Sequence, residues 1–159
     1  MRFDKILNHM ECNEFVEYFN SHPYYTTDDK QVKNSKILHN WPKVMDLCVK
    51  LTQQIQDKTG LLLIPHQAWI RKYTKGNILK RHIDGRADYA LSILLDTSNS
   101  TTNPLLIYYD DIPTEVNLEK GDGYFFEGSI IQHERNEIKS DYIYGLYLGY
   151  LKRPPTTLI

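Results

Sequence analysis

Gly60 divides the chain into two periods. Ahead of it apolar residues recur at helical steps, and after it short apolar runs alternate with polar breaks as far as residue 151. The clearest breaks are 97–104, Asp110-Asp111-Ile112-Pro113 and Glu119-Lys120-Gly121-Asp122. They leave eight strand candidates, at about 61–73, 78–84, 88–96, 104–109, 114–118, 123–127, 130–135 and 142–151. Eight strands at such short spacing predict two packed antiparallel sheets, as in a jelly roll or cupin. In the last of them Tyr142, Tyr144, Leu146, Leu148 and Tyr150 alternate with Ile143, Gly145, Tyr147, Gly149 and Leu151, so it is apolar on both faces and reads as buried.

The preface, about 1–60, reads as two helices. Over 10–21, Phe15, Val16 and Phe19 fall on one face and Glu11, Glu14 and Glu17 on the other. The second helix has Asn40 placed to cap it, Pro42 in its first turn and Gly60 at its stop. Its stripe of Trp41, Val44, Met45, Cys48, Leu51 and Ile55 predicts a face packed on a sheet. The polar stretch 22–39, opened by Pro23-Tyr24-Tyr25, reads as a mobile flap that shapes an entrance together with 97–104.

A chain of 159 residues is the size of one domain and buries roughly two thirds of the surface its unfolded form exposes. Nineteen basic against twenty acidic residues give a net charge of −1, so there is no strong nucleic-acid signal and no field to draw the chain onto an anionic membrane. Lys30, Lys33 and Lys36 lie beside Asp28 and Asp29 and read as a solvated loop. Two cysteines, Cys12 and Cys48, make no disulfide framework. Met1–Lys5 carries no apolar leader, and Leu61–Ile64 is far too short to span a bilayer. A soluble protein of a reducing, cytoplasmic compartment is expected, and nothing in the sequence specifies an oligomeric state.

His82-Ile83-Asp84, followed by His133, carries the chemistry. On a strand, positions i and i+2 share a face, so His82 and Asp84 converge while Ile83 points away. His133 sits in a second strand-like segment and can supply a third ligand. Two imidazoles and one carboxylate on one face of an octahedral ion make a non-haem Fe(II) site with three positions open. His66 reads as a strand or loop histidine, since the triad already completes the set.

Several phrases in order resemble the 2-oxoglutarate/Fe(II)-dependent oxygenase superfamily, on its prolyl-hydroxylase-like side. Ile70-Arg71-Lys72-Tyr73-Thr74-Lys75-Gly76 and then Leu79-Lys80-Arg81-His82-Ile83-Asp84-Gly85 resemble the segment in which an aromatic residue and a glycine turn precede His-x-Asp. Ala90–Asp96 resembles the apolar strand after it, and Gly121–Ser129 the Gly-Asp turn and aromatic strand that lead to the distal histidine. The resemblance covers about residues 61–151. It implies a mostly β fold with α elements, a double-stranded β-helix (jelly roll, cupin-like) flanked by two N-terminal helices in a single domain, 1–159. It also implies His82, Asp84 and His133 as Fe(II) ligands and catalytic residues, with 2-oxoglutarate and O2 as cosubstrates and ascorbate or another reductant as support. The reaction implied is hydroxylation of a peptidyl residue or a small metabolite, with release of succinate and CO2.

The cosubstrate anchor departs from the pattern. Many relatives carry a basic residue nine to eleven positions past the distal histidine, where this chain has Tyr142, Ile143 and Tyr144. Arg135 is the leading replacement: a strand running regularly past His133 puts its guanidinium on the same inward face, and the planar fork suits a carboxylate. Arg86 and then Lys80 follow. Tyr73 matches the aromatic that hydrogen-bonds the cosubstrate in relatives, with core packing as its other reading; Trp69 and Arg71 share its strand parity. The departure also sustains a second function, a metal-binding cupin-like module without oxygenase activity, serving as a sensor or isomerase.

Overall fold

A computed structural model describes residues 1–22, 26–27, 30–99 and 103–154. Among them are two helices, α1 (His9–Ser21) and α2 (Pro42–Thr59), and eleven strands. The strands are β1 (Arg2–Phe3), β2 (Thr26–Thr27), β3 (Lys36–His39), β4 (Leu63–Thr74), β5 (Leu79–His82), β6 (Tyr89–Thr97), β7 (Leu105–Tyr109), β8 (Ile112–Val116), β9 (Gly123–Phe126), β10 (His133–Arg135) and β11 (Tyr142–Lys152). They form two antiparallel sheets, a seven-stranded one in the order β1-β9-β6-β11-β4-β3-β2 and a four-stranded one in the order β5-β10-β7-β8. The fold is mostly β with two helices, the two-sheet jelly roll predicted by the strand spacing.

The alternation in β11 decides how the layers stack. Tyr144, Leu146, Leu148 and Tyr150 join a core with Phe15 and Phe19 of α1 and Val44, Cys48, Leu51 and Ile55 of α2, while Ile143 joins the core between the sheets with Tyr73, Leu94, Ile107 and Phe126. Each large apolar side chain buried there contributes about 1.5–3 kcal/mol. Both helices cover the larger sheet from outside, so its inner face and the smaller sheet are left to build the site. Burial pushes both free thiols, Cys12 and Cys48, up to about 11. No helix among the described residues is long and apolar enough to cross a membrane.

Several boundaries move for physical reasons. Asn40 does not cap α2: it lies at φ 54° and pins β4 instead, its Oδ1 accepting from Ala68 N at 2.9 Å, while Trp41 takes the cap position without a side-chain bond. Gly60 stops the helix as predicted, at φ 73°. The break at 110–113 shrinks to a tight turn: Asp110 and Asp111 both have positive φ, as a two-residue hairpin needs, so Ile112 and Pro113 already belong to β8. Pro113 is tolerated there because β8 is an edge strand. The expected flap 22–39 is in part sheet, since β3 pairs with β4 from Lys36↔Lys72 to His39↔Trp69. Pro23-Tyr24-Tyr25 and Asp28-Asp29 lie outside the described residues.

Asp122, on the turn before β9, ties down the N-terminal segment. Its buried carboxylate accepts from Lys5 N at 3.0 Å, Glu119 N at 3.2 Å and Arg2 Nη2 at 2.5 Å. Burial alone would raise its pKa, but the backbone donors and the charges of Lys5 and Arg2 outweigh burial and hold it below the usual carboxylate value. A depressed folded pKa means that the stabilisation is present above the unfolded value, about 3.9, and is lost as pH falls through the folded one. Asp122→Asn is therefore expected to cost about 1–3 kcal/mol at neutral pH. The gap to wild type should close in denaturant titrations run progressively below about pH 4.

Candidate metal centre

The two histidines meet because they are cross-strand partners. In the smaller sheet His82, the last residue of β5, pairs directly with His133, the first of β10, and their ring centroids are 4.3 Å apart. Asp84 arrives differently from the sequence expectation. The ladder of β5 ends at His82, and the chain then bends so that Asp84 N donates to Gly128 O at 2.8 Å. Exposure still alternates: Ile83 points to solvent while Asp84 turns inward.

Asp84 Oδ1 lies 3.7 Å from His82 Nε2 and 3.5 Å from His133 Nε2, and one ligand atom from each residue falls within 4.8 Å of the others. Neighbouring ligands of an octahedral ion with bonds near 2.1 Å are about 3 Å apart, so the three donors would close in on a bound metal. Each imidazole is oriented from behind, His82 Nδ1 to Lys80 O at 2.7 Å and His133 Nδ1 to Ile131 O at 3.1 Å. A carbonyl only accepts, so both rings carry the proton on Nδ1 and aim the Nε2 lone pair at the ligand cluster. Burial, with the neighbouring His133 ring, holds His82 below its ordinary pKa and keeps it in the neutral form that binds metal.

Gly128 is part of this centre. A Cβ built on it would overlap Asp84 Oδ2 and stand 3.0 Å from Asp84 Cγ, so only glycine leaves room for the carboxylate. Displacing a group that orients a ligand typically costs ten- to a hundredfold in metal affinity. Gly128→Ala is expected to weaken Mn(II) binding by that amount in calorimetric titration, with an unchanged circular dichroism spectrum.

A cavity opens beside the triad and is walled by Leu79, Ala87, Ala90, Leu105 and Phe126. Trp69, Arg71 and Tyr73, predicted to share a face, all line it. Trp69 stacks on Tyr147 at 5.5 Å, and the Tyr147 hydroxyl donates to that of Tyr73 at 3.2 Å. Burial, followed by the Tyr147 hydroxyl, raises the pKa of Tyr73, which stays a protonated donor. Arg86 stands exposed at the outer mouth with Asp84 and Gly85, Lys80 is exposed and lends only its carbonyl, and His66 is an exposed strand residue.

Arg135 is buried like His133, but a register irregularity between them turns it onto a neighbouring cavity. Arg71 and Arg135 flank Tyr73, each 5.8 Å from its ring centroid. Arg135 Nη1 donates to Asn103 O at 2.7 Å, while its buried Nε has no hydrogen-bond partner among the described residues. Ile143, at one of the positions where the resemblance led a basic residue to be expected, lines the same cavity. Gln31, Gly128 and Tyr147 are site residues that the sequence did not single out.

Solved structures decide what this architecture is. The viral collagen prolyl hydroxylase of Paramecium bursaria Chlorella virus-1, solved as a 2-oxoglutarate complex, aligns with a TM-score of 0.72 at 15% identity over 94% of each chain. The fold is that of the 2-oxoglutarate/Fe(II) oxygenases. A 2OG-Fe(II) oxygenase family oxidoreductase from Burkholderia pseudomallei aligns at 0.75 and 12% identity over 95% of this chain and 86% of its own. HygX from Streptomyces hygroscopicus, with nickel and 2-oxoglutarate bound, aligns at 0.73 and 13% identity over 99% and 83%. No protein-family model and no curated protein matches the chain.

Proposed function

We propose that the chain is an Fe(II)- and 2-oxoglutarate-dependent dioxygenase, working as one catalytic unit, that hydroxylates a peptidyl residue or a small metabolite. The observation that carries this reading is the convergence of His82 Nε2, His133 Nε2 and Asp84 Oδ1 at the mouth of an apolar cavity in a fold shared with such oxygenases. The donor set is that of a non-haem Fe(II) site. When bound, iron, 2-oxoglutarate and O2 supply the oxidising chemistry, with succinate and CO2 released and ascorbate or a similar reductant keeping the metal ferrous.

The chain's own residues orient the reactants and exclude water. His82, Asp84 and His133 hold the metal, and the apolar wall around Phe126 and Leu105 keeps bulk water from it. Tyr73, as a buried hydroxyl, is the donor placed for the cosubstrate. Arg135 is the anchor for its distal carboxylate, reached from the triad's cavity past Tyr73, whose ring lies 5.8 Å from the guanidinium: a buried guanidinium whose Nε has no partner among the described residues is costly unless an anion completes it. On β10 of the smaller sheet, Arg135 lines the same cavity as the uncharged Ile143 of β11 in the larger sheet.

The test is slow turnover of 2-oxoglutarate to succinate without added substrate, dependent on Fe(II), O2 and a reductant. Metal binding with neither binding nor turnover of 2-oxoglutarate replaces this reading with the metal-binding, cupin-like sensor or isomerase.

A further inference from the structure

Gln31 stands between Arg71 and the ligand His82. Arg71 Nη2 donates to Gln31 Oε1 at 2.6 Å, which fixes the oxygen end of the carboxamide and leaves its amino group facing His82 Nε2 at 2.9 Å. From the other side, Lys80 O fixes the proton of His82 on Nδ1 and the lone pair on Nε2. Donor and acceptor are thus assigned independently, and the bonds run in one direction from Arg71 through Gln31 and His82 to Lys80 O.

The backbone that follows Gln31 is fastened. Val32 is fully buried beside Tyr73 and Leu79, Ser35 is fully buried and accepts from Arg71 Nη1 at 2.7 Å, and Lys33 O accepts from Asn77 Nδ2 at 2.9 Å. From Lys36 the chain continues as a strand of the larger sheet. One lone pair serves one partner, and the lone pair that Gln31 engages is the one His82 has for a metal.

We propose that Gln31 is a latch on the metal centre: its carboxamide and a metal ion compete for His82 Nε2, so loading the site requires this side chain to leave His82 while its backbone stays fastened. The latch rests on the reading of His82, Asp84 and His133 as a metal centre. Its consequence is that the native chain binds metal less tightly than the triad alone would, and that the Gln31 side chain responds to metal.

Calorimetric titration of the full chain with Mn(II) at about pH 8 tests this on wild type, Gln31→Ala and Gln31→Met. Methionine keeps the length of the side chain but has no donor, so agreement between the variants separates a lost hydrogen bond from lost packing. Both are expected to bind Mn(II) about two- to tenfold more tightly, the worth of one net hydrogen bond. Wild-type-like or weaker affinity in both overturns the latch while leaving the triad standing, and a wild type that binds no Mn(II) overturns both. In wild-type protein the Gln31 side-chain amide resonances are expected to shift on adding Zn(II), and resonances that do not move also overturn the latch.

Discussion

His82→Ala, Asp84→Ala and His133→Ala are each expected to lower Mn(II) affinity by more than about a hundredfold, because loss of a ligand exceeds the ten- to hundredfold cost of losing a group that merely orients one. The cross-strand pairing of His82 with His133 means that each variant leaves the other two donors in place, so the loss reads out coordination rather than unfolding. A thermal melt gives the same answer independently. Metal at about a hundred times its dissociation constant should add about 2.7 kcal/mol, or roughly 5–10 °C, to wild type and nothing measurable to the variants. Wild-type affinity in all three would remove the metal centre.

Arg135→Ala is expected to weaken 2-oxoglutarate binding by roughly thirty- to a thousandfold, about 2–4 kcal/mol, with metal affinity nearly unchanged. Arg135→Lys should recover only part, since a point charge does not reproduce the fork that presents Nε and Nη together. Arg71 and Arg86 are the comparisons. Arg71 lines the triad's own cavity and Arg86 its outer mouth. A change below about threefold in Arg135→Ala beside a large loss in either of the others moves the anchor there and leaves the iron assignment intact.

The clustering of His82, Asp84 and His133 was legible because it depends on local repetition. His82 and Asp84 are two residues apart, and the Gly121–Ser129 phrase announces the strand that brings His133. The stripe of α2 and the double-faced β11 were legible for the same reason, each being a period written into consecutive residues. Asn40 was misread because an asparagine ahead of a helix has two uses, cap or bridge, and contact with Ala68 in β4 selects the bridge. Arg135 shows the limit of parity. His133 and Arg135 share the buried side, yet the irregularity between them sends them to different cavities. Gln31 left no signal at all: a glutamine in a polar stretch gains its role from Arg71, forty residues away, and from β3 holding that stretch against β4.

The most direct test of the central claim is an anaerobic titration of 2-oxoglutarate into the Fe(II)-loaded chain, followed in the visible spectrum. Chelation of iron held by His82, Asp84 and His133 is expected to produce a weak metal-to-ligand charge-transfer band that saturates with 2-oxoglutarate and is absent from His133→Ala. An iron-loaded chain that shows no band and retains no 2-oxoglutarate would contradict the oxygenase reading.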